Sequence, residues 1–210
     1  MFGKDTIVIS LKLFVITAVA ALCLAFVNGL TKQVIADNAK KAEAEAMQEV
    51  LGTAKTFMEV KAEFLPQSKV DGVAIEKLNV GFDGENPVGY VVTAVSKEGY
   101  GGDVKVMVGL DGNLAVTRIE ILESSETAGL GANASKPAFA GQFEGKNAAL
   151  TVVKGEAKEN EISAIASATI TSKAVTGCVN AAMLAAQDAK ALNPADAFVN
   201  TNNGEGGTEE

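Results

Sequence analysis

The chain has 210 residues, a formal net charge of −8 and no histidine, which suits one globular domain with appendages. The acidic balance repels polyphosphate backbones and excludes nucleic acid as a partner. Without histidine the commonest metal ligand and general base is missing, which excludes zinc enzymes, Ser-His-Asp hydrolases and Cys-His proteases.

Apolar residues make up 48% of the chain, yet aromatics are only 5% and tryptophan is absent, so the core is expected to be modest and built from small side chains. The two cysteines, Cys23 and Cys178, have no neighbour at Cys-x-x-Cys spacing. Iron–sulfur and zinc sites therefore lack ligands, and both cysteines read as small buried thiols.

From Ile7 to Leu30 the sequence is nearly all apolar, and at about 1.5 Å per residue such a helix covers a hydrocarbon core of roughly 30 Å. The run from Leu13 to Val27 is long for a cleaved signal, and Val27-Asn28-Gly29-Leu30 is a poor cleavage site. Leu22 before Cys23 disfavours lipidation. Residues 1–31 thus read as an uncleaved single-pass anchor in the cell (inner) membrane, in contact with lipid. Lys4 and Lys12 precede the span while Lys32, Lys40 and Lys41 follow it, so charge alone is nearly balanced; the usual outcome for such an anchor puts the large domain on the extracytoplasmic side.

Residues 32–55 are rich in Ala, Glu, Lys and Met, strong helix formers, and read as a helical stalk that can also cover one face of the domain. Residues 56–192 form the globular domain. Asp83-Gly84 and Asp111-Gly112 are turn dipeptides. Around the second, Val104, Val106 and Val108 alternate with Lys105 and Met107, and residues 115–121 continue the alternation, which predicts a hairpin with one buried face. Residues 88–95 read as a further strand and 149–153 as a short one. A helix is expected from about Ser172 to Ala191, with Ala174, Val175, Cys178, Val179, Ala182, Met183 and Ala186 in one stripe. The tail, 193–210, is polar and glycine-rich and reads as disordered. The fold class that follows is α+β: an N-terminal transmembrane helix, then a mixed domain of β-hairpins with flanking helices.

Three segments concentrate glycines and hydroxyls. They are Gly99-Tyr100-Gly101-Gly102 after a strand, Glu126-Thr127-Ala128-Gly129-Leu130-Gly131 after the hairpin, and Ser167-Ala168-Thr169-Ile170-Thr171-Ser172 at the start of the long helix. Each has a plain folding explanation: glycine loops make turns, and hydroxyls before a helix cap it. The third also coincides with unpaired N–H groups and the positive end of the helix dipole, a ready site for phosphate.

Together the segments resemble the G subunit of the Rnf complex, the ion-translocating ferredoxin:NAD+ oxidoreductase, and its relative, the C subunit of the sodium-pumping NADH:quinone reductase. In that family a Ser-Gly-Ala-Thr-x-Thr-Ser-x-Ala-Val segment carries FMN as a phosphoester on the threonine after alanine. Here it reads Ala166-Ser167-Ala168-Thr169-Ile170-Thr171-Ser172-Lys173-Ala174-Val175, which assigns the ester to Thr169. The family's Glu-Thr-Pro-Gly-Leu-Gly loop appears at 126–131, and its Gly-Tyr-Gly-Gly, strand and Asp-Gly turn at 99–112. The chain departs from the pattern at Ser163 for aspartate, Ala166 for serine, Ser167 for glycine, Ser124 for histidine and Ala128 for proline.

The resemblance implies an electron-transfer subunit with no complete active site of its own, working among other membrane subunits of the Rnf complex. Covalent FMN implies a flavin transferase, which with Mg²⁺ lets the threonine hydroxyl attack FAD and leaves FMN behind. Glu126, Thr127, Gly129, Leu130, Gly131 and Tyr100 are expected around the flavin, with Ser167 and Ala168 beside Thr169 and with Thr171 and Ser172 supporting the phosphate. Two alternatives stay open: a cofactor-free structural subunit, and an extracytoplasmic protein that binds flavin reversibly.

Overall fold

The computed structural model describes residues 4–191 and 198–199. The chain forms two units, residues 1–45 and 46–210, taken here one at a time. In the first unit every described residue is helical and belongs to α1, Lys4–Val50. Its most apolar stretch has a mean hydropathy of 2.4, none of it buried, with Leu11, Phe14, Leu22, Leu24 and Phe26 all exposed. An amphipathic helix would show an apolar stripe; this stretch is apolar all round, as lipid requires. At 47 residues it extends about 70 Å, more than twice the hydrocarbon core. The expected boundary between anchor and stalk at residues 31 and 32 therefore falls inside one uninterrupted helix. Cys23 lies exposed on it rather than buried.

The second unit begins with the last turn of α1. Six strands form one antiparallel sheet: β1 (Thr56–Val60), β2 (Val73–Asp83), β3 (Asn86–Ser96), β4 (Val104–Asp111), β5 (Val116–Ser124) and β8 (Phe198–Val199), in the order β5-β4-β3-β2-β1-β8. The 198–199 pair lies in the segment expected to be disordered, and pairs there with Glu59 and Val60; the remainder of that tail lies outside the described residues. A second sheet of β6 (Thr151–Val153) and β7 (Glu161–Ser163) is parallel. Between them, α2 spans Pro137–Ala140, and α3 spans Thr169–Lys190.

Alternation sorts each strand between two faces. Leu78, Val80, Val92, Ala94, Val106 and Val108 face α3, where Ala174, Val175, Cys178, Val179, Ala182 and Ala186 meet them. Alanine at so many positions lets the helix lie close to the sheet, so the core is built from small residues as expected. Burial pushes the Cys178 thiol up to about 12, which leaves it protonated and inert. On the opposite face Val91 and Met107 pack with Ala46, Val50, Leu51 and Ala54.

The two turns differ from one another. Gly84 has a left-handed φ of 66° in a two-residue turn, the setting in which glycine is favoured. At Asp111 the left-handed residue is not Gly112 but Leu114, with φ 66°. Asp111 Oδ1 accepts the N–H groups of Asn113 and Ala115 at 2.8 and 2.9 Å, closing a longer loop, and Leu114 packs its side chain against the core in return.

Candidate functional site

The segment leading into α3 is tied down on both sides. Ser163 donates its N–H to Gln142 Oε1 (2.8 Å), its carbonyl accepts from Gln142 Nε2 (3.3 Å), and its hydroxyl donates to Gly155 O (2.6 Å). The Ala164 N–H reaches Val153 O at 2.8 Å. From the helix side, Ser172 Oγ accepts the Ile165 N–H at 3.0 Å and donates to Ala168 O at 2.9 Å. Ser172 is thus buried and saturated by the loop; it fixes the segment's shape and does not reach the cavity described below.

A hydroxyl cap was expected here, and none forms. The helix begins at Thr169, three residues before the expected start, with Ala168 as N-cap and no side chain bonded to the first turn. The N–H groups of Thr169, Ile170 and Thr171 have no intrahelical acceptor by position. Thr169 is half-buried at the first helical position. Thr171 is 1% exposed, and its Oγ1 has no hydrogen-bond partner. A buried hydroxyl without a partner costs about 1–3 kcal/mol, so its place beside a cavity and open donors calls for a ligand.

Ser167 holds φ at 61°, a region in which side chains are disfavoured. Ser167→Gly should therefore raise stability by about 1 kcal/mol, seen as a rise of about 2–4 °C in the melting temperature of the solubilised full chain. An unchanged or lowered midpoint would show that the serine is not strained.

The loops at 99–102 and 126–131 meet across Glu126, whose Oε1 accepts the Gly101 N–H at 3.2 Å. Gly129 turns the second loop with φ 79°, and its carbonyl accepts from Asn133 Nδ2 at 2.8 Å. Gly131 is needed for close approach. A Cβ there would overlap Glu126 Oε2 and come within 2.6 Å of Thr171 Oγ1, so glycine alone lets the second loop lie against the start of α3.

The three segments enclose a cavity of about 390 Å³ lined by Tyr100, by Glu126, Thr127, Leu130 and Gly131, and by Ser167 to Thr171. That volume suits a small organic ligand. Nine of the residues expected from sequence line it. Gly129 and Ser172 do not, since one turns the loop and the other faces the core. Ile170 was missed, although its place between two threonines at the helix start signals it. Its side chain is 51% exposed, beside Tyr100 at 74% and Leu130 at 40%. Outside α1, the other large apolar side chain so exposed among the described residues is Phe64, so the cavity mouth gathers three of four. A second, more open cavity of about 680 Å³ lies along residues 163–167 with Lys154, Gly155 and Glu156, and shares Ser167 and Thr169 with the first.

Residues 99–184 match the model of the FMN-binding domain family. The chain is 41% identical to the G subunit of the Na+-translocating ferredoxin:NAD+ oxidoreductase complex of Acetobacterium woodii, over 82% of this chain and 87% of that one. It is 37% identical to the G subunit of the proton-translocating ferredoxin:NAD+ oxidoreductase complex of Clostridium ljungdahlii, over 79% and 83%. Among solved structures it is similar to the C subunit of the Na+-translocating NADH-quinone reductase of Parabacteroides distasonis, with 24% identity, 67% of this chain and 80% of that chain covered, and a TM-score of 0.49. By its identity to the first two relatives over most of its length, the chain belongs to the G-subunit family of ion-translocating ferredoxin:NAD+ oxidoreductase (Rnf) complexes.

Proposed function

We propose that this protein is an electron-transfer subunit of a membrane-bound ion-translocating ferredoxin:NAD+ oxidoreductase complex, carrying FMN in phosphoester linkage to Thr169. The observation that carries the reading is the start of α3. Open backbone N–H groups, the helix dipole and the orphaned Thr171 hydroxyl converge beside Thr169, and together they suit a phosphate. The exposed Tyr100, Leu130 and Ile170 suit a flat, largely apolar ring system at the cavity mouth. Bound there, FMN supplies the electron chemistry; the residues hold it, shield one side from water and set its electrostatic surroundings. Glu126, Thr127, Leu130 and Gly131 form the wall facing the helix start.

The ester forms when the Thr169 hydroxyl attacks the flavin-side phosphorus of FAD. A new O–P bond replaces the bond between the two phosphates, the hydroxyl proton is lost and AMP leaves. A separate flavin transferase with Mg²⁺ carries out this step. The remaining subunits of the complex are the partners, and α1 holds the chain in the membrane with the domain on the extracytoplasmic side. A covalent bond keeps the cofactor from escaping by dissociation there.

The test is mass spectrometry of the peptide containing Thr169 after co-expression with the transferase. Added phosphoflavin mass on Thr169 is the expected result. An unmodified peptide, with no flavin on the intact protein, would favour a purely structural subunit. Flavin released completely by heat or acid would favour reversible binding.

A further inference from the structure

The cavity is lined by one carboxyl side chain. Among its described lining residues Glu126 is the sole carboxylate, and no lysine or arginine lines it. Its two oxygens have separate tasks. Oε1 accepts the Gly101 N–H, which fixes the side chain across the two loops. Oε2 accepts no hydrogen bond among the described residues. It lies against Gly131, close enough that a Cβ there would overlap it, with Thr171 Oγ1 within 2.6 Å of the same point. A half-buried carboxylate is thus pinned by one oxygen and left with the other unpaired in the cavity.

We infer that Glu126 sets the reduction potential of the flavin, holding it lower than a neutral side chain at the same place would. This rests on the FMN reading above. Reduction brings electrons, and with them negative charge, to a ring seated in this cavity. A fixed carboxylate opposes that charge, and does so more strongly where burial lowers the effective dielectric. No lysine or arginine lines the cavity to offset it. The hydrogen bond from Gly101 keeps the charge from swinging away to solvent, so the effect is built into the loop geometry.

Glu126→Gln separates charge from shape, because the amide oxygen still accepts the Gly101 N–H. The experiment is a spectroelectrochemical titration of the full-length, flavinylated protein, with covalent flavin checked on the same samples by in-gel fluorescence. The Gln variant should shift the reduction equilibrium toward the reduced flavin about tenfold, a rise of about 59 mV for a one-electron couple. Glu126→Asp, which keeps the charge, should stay nearer the wild type. A Gln variant with less than a twofold shift, or a shift the other way, overturns the inference while leaving the FMN assignment standing. A Gln variant without covalent flavin also overturns it, since the carboxylate would then serve attachment. Wild-type protein without covalent flavin refutes the FMN reading instead.

Discussion

Replacing Thr169 with alanine should leave a full-length, membrane-bound protein whose in-gel flavin fluorescence falls to background. The prediction is all-or-none because neighbouring hydroxyls are poor substitutes. Ser172 Oγ is buried and engaged with Ala168 O and the Ile165 N–H. Thr171 Oγ1 is enclosed, with its residue 1% exposed, so it cannot line up for attack on an FAD phosphorus, as the more exposed Thr169 hydroxyl can. Ser167 is exposed but sits before the helix in a left-handed conformation, outside its first turn. Thr169 alone combines access with position at the first helical residue. Alanine is a good helix former, and Thr169 makes no side-chain hydrogen bond among the described residues, so folding should change by less than about 0.5 kcal/mol. Thr171→Ala should keep the covalent flavin, because it removes an orphaned hydroxyl rather than the nucleophile. Thr169→Ser should restore part of the signal. Undiminished fluorescence in Thr169→Ala would assign the attachment to another residue.

How much of this was legible in the sequence depends on the range of the interactions. The membrane helix, the hairpin of β4 and β5 and the alanine stripe of α3 follow from local periodicity, and each appears near its expected place. Boundaries moved where a tertiary contact decides them. α3 starts at Thr169 because Ser172 turns inward to hold Ile165 and Ala168, so the hydroxyl run becomes helix instead of cap. The αL position after Asp111 went to Leu114 because the Asp111 carboxylate organises two N–H groups beyond Gly112 and the core accepts the leucine. β6 falls inside the short strand expected at 149–153, whereas β7 is a three-residue strand held by parallel pairing, which leaves no local signature. In the site, the segments were recognisable as motifs, but their meeting followed only from the family resemblance and not from the residues themselves. It depends on Gly131 and on the Glu126–Gly101 bond, both long-range contacts. Ile170 carries no chemistry of its own; its place between two threonines and its exposure are what mark it.

The largest effect on stability is expected at Gly109, far from the site. This residue is in β4 with no unusual backbone angle, so glycine is not needed there for its conformation. Space is the reason. A Cβ would overlap Val50 O and approach Val50 C and Thr117 Oγ1 to 2.6 Å, and Thr117 Oγ1 itself donates to Val50 O. On the neighbouring strands Gly89 and Gly81 lie under Leu51, and Gly81 also lies under Ala54, so three strands leave a trough for the chain as it exits α1. An added methyl must push that exit off the sheet, because backbone atoms cannot rotate aside as a side-chain tip can. Overpacking of this kind costs about 1–3 kcal/mol, and loss of the Thr117 hydrogen bond adds about 1 kcal/mol. Gly109→Ala should lower stability by about 2–4 kcal/mol in total, a fall of about 5–15 °C in melting temperature for a unit of this size. Gly112→Ala, in the adjoining turn, is the control. Its nearest neighbour would be Val88 O at 3.7 Å, ordinary contact, and the change should stay within about 0.5 kcal/mol. Seven residue steps, about 23 Å when extended, separate Gly109 from Gly102, so flavin attached to Gly109→Ala protein at low temperature should match the wild type. Equal melting temperatures for the two alanine variants would mean that the trough does not hold the exit. A loss of covalent flavin in Gly109→Ala below its melting temperature would mean that the trough and the site are coupled through the sheet.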